Sequence, residues 1–560
     1  MRKSGRSDSS ILLQVFARFR RWTGARPGVL RFFIPIILFA VLLAPSVWML
    51  TIIPPLWRDI DAYLQLTRPP GPETLLQYGP LYCFVARIPL YVGYSIDRFQ
   101  AGAPLPTLSF FIHPVLTDSG VFMLLLLQHL SLCFATFHLI AKVTRLFWVR
   151  LALAGLWAAN PLFYALAHCV GGETLSMILV LLIGATGLKM IRHSRTIPKK
   201  EWVLFGMLMW LCILTRHINA VLAALLPLTF VLLGMCRFIG TRFARLQSVC
   251  RWNRLRFMQA VQKAAIAVAV GVSCIALANV SLRTFCYAGG IPYYSVAGFT
   301  FLGRLKFLAA LPLEQRNQLL DRAAKNTNSA DVKKLISQLR NEFIAGTANW
   351  DTAAFKKRAE GLLFPPQGDF ADQQRFHTAL NSMVRAFLWP PEKIILTAVT
   401  ADFQRAQRIT ISEVVASLFG TTRFYFSHRD VMSQCASLST FRNSSADQIV
   451  AIFKKHSYFR HPKNLRYHAL LLIWIVLFGA LLLSGTVRKR HIAGAASYAS
   501  ALIVIGLLMM FANCLVAVFQ PPRYTLPMWE LTIISVTIIF GGIMDGMLHP
   551  SRHRFSDETR

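Results

Sequence analysis

Apolar runs long enough to cross a bilayer recur from one end of this chain to the other, separated by loops in which Lys and Arg collect. A helix of about 20 residues spans the hydrocarbon core. Inside that core the backbone must satisfy its own hydrogen bonds, so such runs fold as helices. Ten candidate spans follow, at 30–53, 119–141, 151–170, 174–188, 202–216, 218–235, 264–286, 467–485, 495–519 and 527–547, the fourth and fifth being short. Of the 560 residues, 55% are hydrophobic and 15% charged, and the mean hydropathy is +0.47. Soluble domains carry about 25% charged residues. The expected fold class is all-α: a polytopic membrane protein of about ten transmembrane helices with a helical extracytoplasmic domain.

The net charge of +35 also suggests a nucleic-acid binder, and the location of the charge argues against one. A nucleic-acid surface gathers cations on one folded face with interleaved aromatics. Here 29 basic residues lie in segments 1–31, 142–150, 189–201, 236–263, 486–494 and 548–560, against six in the short loops on the other side. Those six are Arg58, Arg68, Arg87, Arg98, Arg216 and Arg523. The positive-inside rule then puts both termini in the cytoplasm. The apolar run at 30–53 is too long for a signal-peptide core and reads as a retained first helix. Residues 10–22 mix apolar and basic positions and read as an interfacial helix before it.

Three regions follow. Residues 1–286 form an N-terminal transmembrane domain whose first outer loop, 54–118, holds an amphipathic stretch from Gln77 to Gly93 at the membrane surface. Residues 287–466, with 24 basic and 13 acidic side chains, form a soluble helical insertion. Residues 467–560 return to the membrane and end in a cytoplasmic tail. Inside the insertion, Pro312 before Leu-Glu-Gln-Arg and Asn328 three residues ahead of Asp331 mark helix starts. Helical patterns cover 352–363, 371–388, 393–418 and 447–458. No strand-rich region or repeat is visible. The ten cysteines are scattered without ligand spacing and read as small hydrophobes. Cys83, Cys286 and Cys435 fall on the outer side, with any pairing among them unassigned.

Ionisable residues are nearly absent from the span centres, where a transporter or proton pump would need them. They sit instead at the outer helix ends, in four clusters. After the first span comes Trp57-Arg58-Asp59-Ile60-Asp61-Ala62-Tyr63-Leu64. Its carboxylates can serve as a general base or jointly hold a divalent cation. Equally, Asp59 can cap a helix beginning near Ile60, with Asp61 in its first turn. Gly171-Gly172-Glu173-Thr174 forms a tight turn whose Glu173 also suits a helix N-terminus. Leu214-Thr215-Arg216-His217-Ile218-Asn219 is a polar break, its Arg216 fitting either a phosphate or the membrane interface. Gln520-Pro521-Pro522-Arg523-Tyr524-Thr525-Leu526-Pro527 is a rigid turn with the same two readings. His113, His168 and His461 look isolated and structural. No Walker loop or dinucleotide fingerprint is present, so an enzyme of this kind would take a donor activated elsewhere.

Taken in order, these clusters resemble the GT-C class of polyprenyl-phosphate-sugar-dependent glycosyltransferases, nearest the protein O-mannosyltransferase and aminoarabinose transferase branch. The resemblance lies in Asp59-Ile60-Asp61-Ala62-Tyr63-Leu64 opening the first outer loop, Glu173-Thr174-Leu175 at a helix end, Leu214-Thr215-Arg216 between helix halves, and Arg523-Tyr524 before a late helix. It covers 30–235 and 467–547, and the insertion matches no domain of that class. It implies a GT-C-like arrangement and an inverting transfer of sugar from a polyprenyl-phosphate donor to a glycan, lipid or protein acceptor. By the same resemblance Asp61, with Asp59, is the base, and Arg216 and Arg523 hold the donor phosphate. Tyr63, Glu173, His217 and Tyr524 support them. The compact basic loops favour a bacterial inner membrane over an endoplasmic reticulum as the setting, with membrane lipids as partners and the site facing the periplasm. Rival readings are a polysaccharide polymerase or ligase, and a transporter or flippase.

Overall fold

A computed structural model describes residues 27–58, 60–71, 75–76, 79–192, 197–242, 250–295, 297–344, 361, 363, 370–428, 432–435, 438–460, 466–483, 490–516 and 521–548. The protein is an all-α polytopic membrane protein. Among the described residues, seven helices are long and apolar enough to cross a membrane: Phe33–Ile52, Asp118–Val143, Glu173–Arg192, His217–Met235, Met258–Ala288, Ile492–Val516 and Thr525–Asp545. Phe147–Ala158 and Pro161–Ala167 are long and apolar enough only when taken together, and they meet at 63°. The break falls where it must, because Pro161 has no N–H to continue the helix and Asn160 recaps the next one by accepting from the Leu162 amide at 3.0 Å.

The other two expected spans are helical but shorter. Lys199–Thr215 has 17 residues, with Lys199, Lys200 and Glu201 in its first turn, and the apolar stretch Tyr467–Leu481 is also below spanning length. The segment expected at 174–188 runs longer, from Glu173 to Arg192. Within their most apolar windows, Glu173–Arg192 and Thr525–Asp545 are each 83% buried, against 22% for Phe33–Ile52 and 28% for Met258–Ala288. The first two are therefore the centre of the bundle and the last two its periphery.

At one end of the bundle the basic loops meet. Arg192 donates to the carbonyls of Lys142 and Val143, Arg150 donates to the Thr144 carbonyl at 2.7 Å, and Thr144 Oγ1 donates to Asp545 Oδ1 at 2.6 Å. At the opposite end lies the 287–466 segment, and this is called the capped end below. Its helices start largely where the sequence places them. Pro312 precedes Leu313–Lys325. Ser329 rather than Asn328 serves the helix Ala330–Ile344, accepting from the Val332 amide at 3.4 Å. The pattern at 393–418 divides into Lys393–Arg408 and Ile411–Ser427, because Thr410 and Glu413 form a capping box that starts a new helix. Ser445 and Gln448 form another at Ala446–Lys455. Residues 352–360 lie outside the described residues.

The segment is anchored to the membrane helices by aromatic and polar contacts. Trp48 packs against His456, Tyr458 and Phe459, and Tyr458 donates to the Ala158 carbonyl at 2.9 Å, beside the 63° bend. Asp118 accepts four hydrogen bonds from the amides and hydroxyls of Ser439 and Thr440. Cys83, Cys286 and Cys435 are buried and free, as are all eight cysteines whose side chains are described.

A short strand pair stands among the helices. Leu56–Trp57 (β1) and Cys169–Val170 (β2) form a parallel strand pair, with Leu56 opposite Cys169 and Trp57 opposite Val170. Two-residue strands leave no periodicity to detect, and the pair exists only because two distant loops are brought together.

Candidate functional site

The strand pair builds the site. β1 carries the chain from the first helix toward Arg58, whose amide donates to the Val170 carbonyl at 3.3 Å. β2 leads through Gly171 and Gly172 to Glu173, the first residue of the central helix. The register is held from below by buried polar side chains. His168 Nε2 donates to the Ile53 carbonyl at 2.8 Å, which leaves its Nδ1 as an acceptor for His129 Nε2 at 3.2 Å. His129 Nδ1 in turn accepts from the Ser46 hydroxyl at 3.0 Å. His168 is thus structural, as the sequence suggests, but it is not isolated.

Above this, charges alternate. Arg58 Nη2 lies 3.4 Å from Glu173 Oε1, and Arg216 Nη1 lies 3.9 Å from the same oxygen. Arg58 and Glu173 are both buried, and Arg216 is half-buried. A Cβ on Gly171 would stand 3.0 Å from both the Arg58 Cβ and Glu173 Oε2, so a glycine there leaves room for the pair. Glu530, only 3% exposed, is buried on the helix Pro521–Leu548. Glu530 Oε1 makes no hydrogen bond, nor do Arg58 Nε and Nη2. Arg58, Glu173 and Arg216 thus draw together three ionisable groups from three separate parts of the chain. The arrangement can offer two guanidiniums to an anion, with the Glu173 carboxylate holding them in place.

The break carrying Arg216 has its own local cause. Arg216 is extended, with φ −156° and ψ 128°, between Lys199–Thr215 and the 3-10 helix His217–Ala224. Asn219 Nδ2 closes the gap by donating to the Cys212 carbonyl and Ser176 Oγ at 2.8 Å each, and to Thr215 Oγ1 at 3.2 Å. The first loop presses on it from outside. Gly79 has φ +86°, and a Cβ there would stand 2.5 Å from the Leu214 carbonyl oxygen. Only glycine fits that position.

Of the residues singled out from sequence, the structure brings Glu173 and Arg216 together and adds Arg58. His217 does not join them: it is exposed, and its Nε2 bonds to the Leu76 carbonyl at 2.8 Å. Tyr63 is buried in the helix Ile60–Thr67, where its hydroxyl accepts from the Gln434 amide at 2.9 Å. Its partner therefore belongs to the insertion. Asp59 lies outside the described residues, as does His461. Asp61, Arg523 and Tyr524 are described by their backbones alone: Asp61 in the first turn of Ile60–Thr67, the other two in the first turn of Pro521–Leu548. Arg523 precedes Glu530 by two helical turns, a rise of about 10 Å.

In the sequence Arg58 shows only as a loop cation. Glu530, a carboxylate inside an apolar span, carries the one signal that could have found it, because intramembrane acids are costly and mark function. Among the described residues no group of three or more His, Cys, Asp or Glu is placed to hold a metal ion. No protein-family model and no curated protein sequence matches the chain.

Proposed function

We propose that this protein is a membrane glycosyltransferase that moves a sugar from a polyprenyl-phosphate donor to an acceptor hydroxyl on the capped side of the membrane. The observation that carries this reading is the buried junction at Glu173, where Arg58 and Arg216 converge on one carboxylate at the end of an apolar bundle. A donor of this class has a phosphate at the membrane boundary and an isoprenoid tail in hydrocarbon. Guanidiniums at a helix-bundle end suit the first requirement, and the apolar helices beside them suit the second.

In this reading Arg58 and Arg216, with Arg523, bind the donor phosphate and stabilise the charge that grows on it as the glycosidic bond breaks. Asp61 accepts the proton of the acceptor hydroxyl as its oxygen bonds to the anomeric carbon. The bond from that carbon to the phosphate oxygen breaks in the same displacement, so configuration inverts and the lipid phosphate leaves. Glu173 keeps the Arg58 and Arg216 guanidiniums in place.

The test is transfer from a purified polyprenyl-phosphate sugar by the wild type and by Asp61→Asn at matched expression. General-base assistance is worth about 10²–10⁴-fold, and a loss of that size is expected. Undiminished transfer in the variant removes Asp61 from the mechanism, and a wild type that transfers no sugar removes the reading itself.

A further inference from the structure

Residues 287–466 reach the segment between the first strand and the following helix at three points. The Trp57 amide donates to Thr422 Oγ1 at 2.9 Å, and the Ile60 amide donates to the Tyr425 hydroxyl at 2.6 Å. Tyr63 Oη accepts from the Gln434 amide at 2.9 Å, while Gln434 Oε1 accepts from the Leu116 amide at 3.2 Å. Thr422 and Tyr425 lie three residues apart on the helix Ile411–Ser427, so they share one face. The amides they hold flank Arg58 and residue 59 on either side.

These bonds answer needs that the membrane domain leaves open. Ile60 opens the helix Ile60–Thr67, and the first amides of a helix have no partner within it. Tyr425 supplies that partner from another region of the chain. Thr422 is fully buried, donates to the Leu418 carbonyl of its own helix at 2.9 Å and so presents a lone pair to Trp57. β1 pairs with β2 on its other side, so Trp57 is held between the membrane domain and the insertion.

We infer that Thr422 and Tyr425 are positioning residues: they fix the backbone on both sides of Arg58 and set the start of the helix that carries Asp61. The insertion is then a working part of the site and not only a cover over it. The activity part of this inference rests on the proposed transferase reading, whereas the pinning itself does not.

The experiment uses the full chain in lipid nanodiscs and compares Thr422→Val, Thr422→Ser and Tyr425→Phe. Hydrogen–deuterium exchange across residues 55–62 reads the pinning. Thr422→Val and Tyr425→Phe should each speed exchange there by about tenfold, the worth of one intramolecular hydrogen bond, and Thr422→Ser should leave it near wild type. Exchange that is unchanged in Val and Phe, or that rises equally throughout the protein, overturns the inference. On the transferase reading, kcat falls in step with the local loosening and recovers in Thr422→Ser. Loosening with kcat unchanged overturns the positioning role. Should the wild type transfer no sugar at all, the transferase reading fails alone, and exchange still decides the pinning.

Discussion

Glu173 is the residue on which the site's electrostatics turn, and replacing it with Gln is the most informative single perturbation. At an effective dielectric constant of 20, a unit charge pair at the Arg58 separation of 3.4 Å is worth about 5 kcal/mol, and one at the Arg216 separation of 3.9 Å about 4 kcal/mol. Removing the carboxylate also leaves two guanidiniums within roughly 7 Å of each other, repelling by about 2 kcal/mol on the same scale. Against this stands the desolvation of the buried Glu173, several kcal/mol, which the neutral side chain avoids. The net expectation is a loss of about 3–5 kcal/mol, the usual cost of orphaning one side of a buried ion pair. The assay is a double-mutant cycle with Arg58→Met, read by reversible unfolding in mixed micelles. Taking away the orphaned cation should recover much of the loss, so the two changes should be far from additive. If Glu173→Gln costs less than about 1 kcal/mol, or if the double variant loses the sum of the singles, the charges do not interact as the geometry implies.

Two further outcomes follow from the backbone and from burial. Gly79→Ala should cost about 3 kcal/mol and damage the Arg216 break, since it adds a clash with the Leu214 carbonyl to an unfavourable φ. Gly102→Ala, at φ +66° with nothing within 4 Å, should cost only about 1 kcal/mol. Equal melting temperatures for the two variants would refute the packing of residue 79 on 214. In a Cys236→Ser, Cys250→Ser background, N-ethylmaleimide at pH 8 should label the native protein slowly and the denatured protein at eight positions. Burial pushes the Cys83 and Cys435 thiols up, so little thiolate is present to react. Rapid labelling of the native form at any of the eight would contradict their burial.

The membrane character of the chain was legible from residue order alone, because an apolar run of spanning length admits only a helix in hydrocarbon. The kink at Asn160-Pro161 was as local, but it went unread because the periodicity of an apolar run continues through it. The division at Thr410 was missed for a related reason: a capping box interrupts a helix without interrupting its amphipathic pattern. Glu173 and Arg216 stood out in sequence as polar residues at apolar helix ends, each with a bland alternative that the sequence had no means to exclude.

What the sequence determined by itself was therefore what depends on near neighbours along the chain: helices, their approximate ends, and the segregation of cations into particular loops. The meeting of Arg58, Glu173 and Arg216, and the grip of Thr422 and Tyr425 on the backbone beside them, were decided only by tertiary structure. These contacts join residues tens to hundreds of positions apart. Their strength depends on distance and dielectric environment, neither of which exists until the helices have packed.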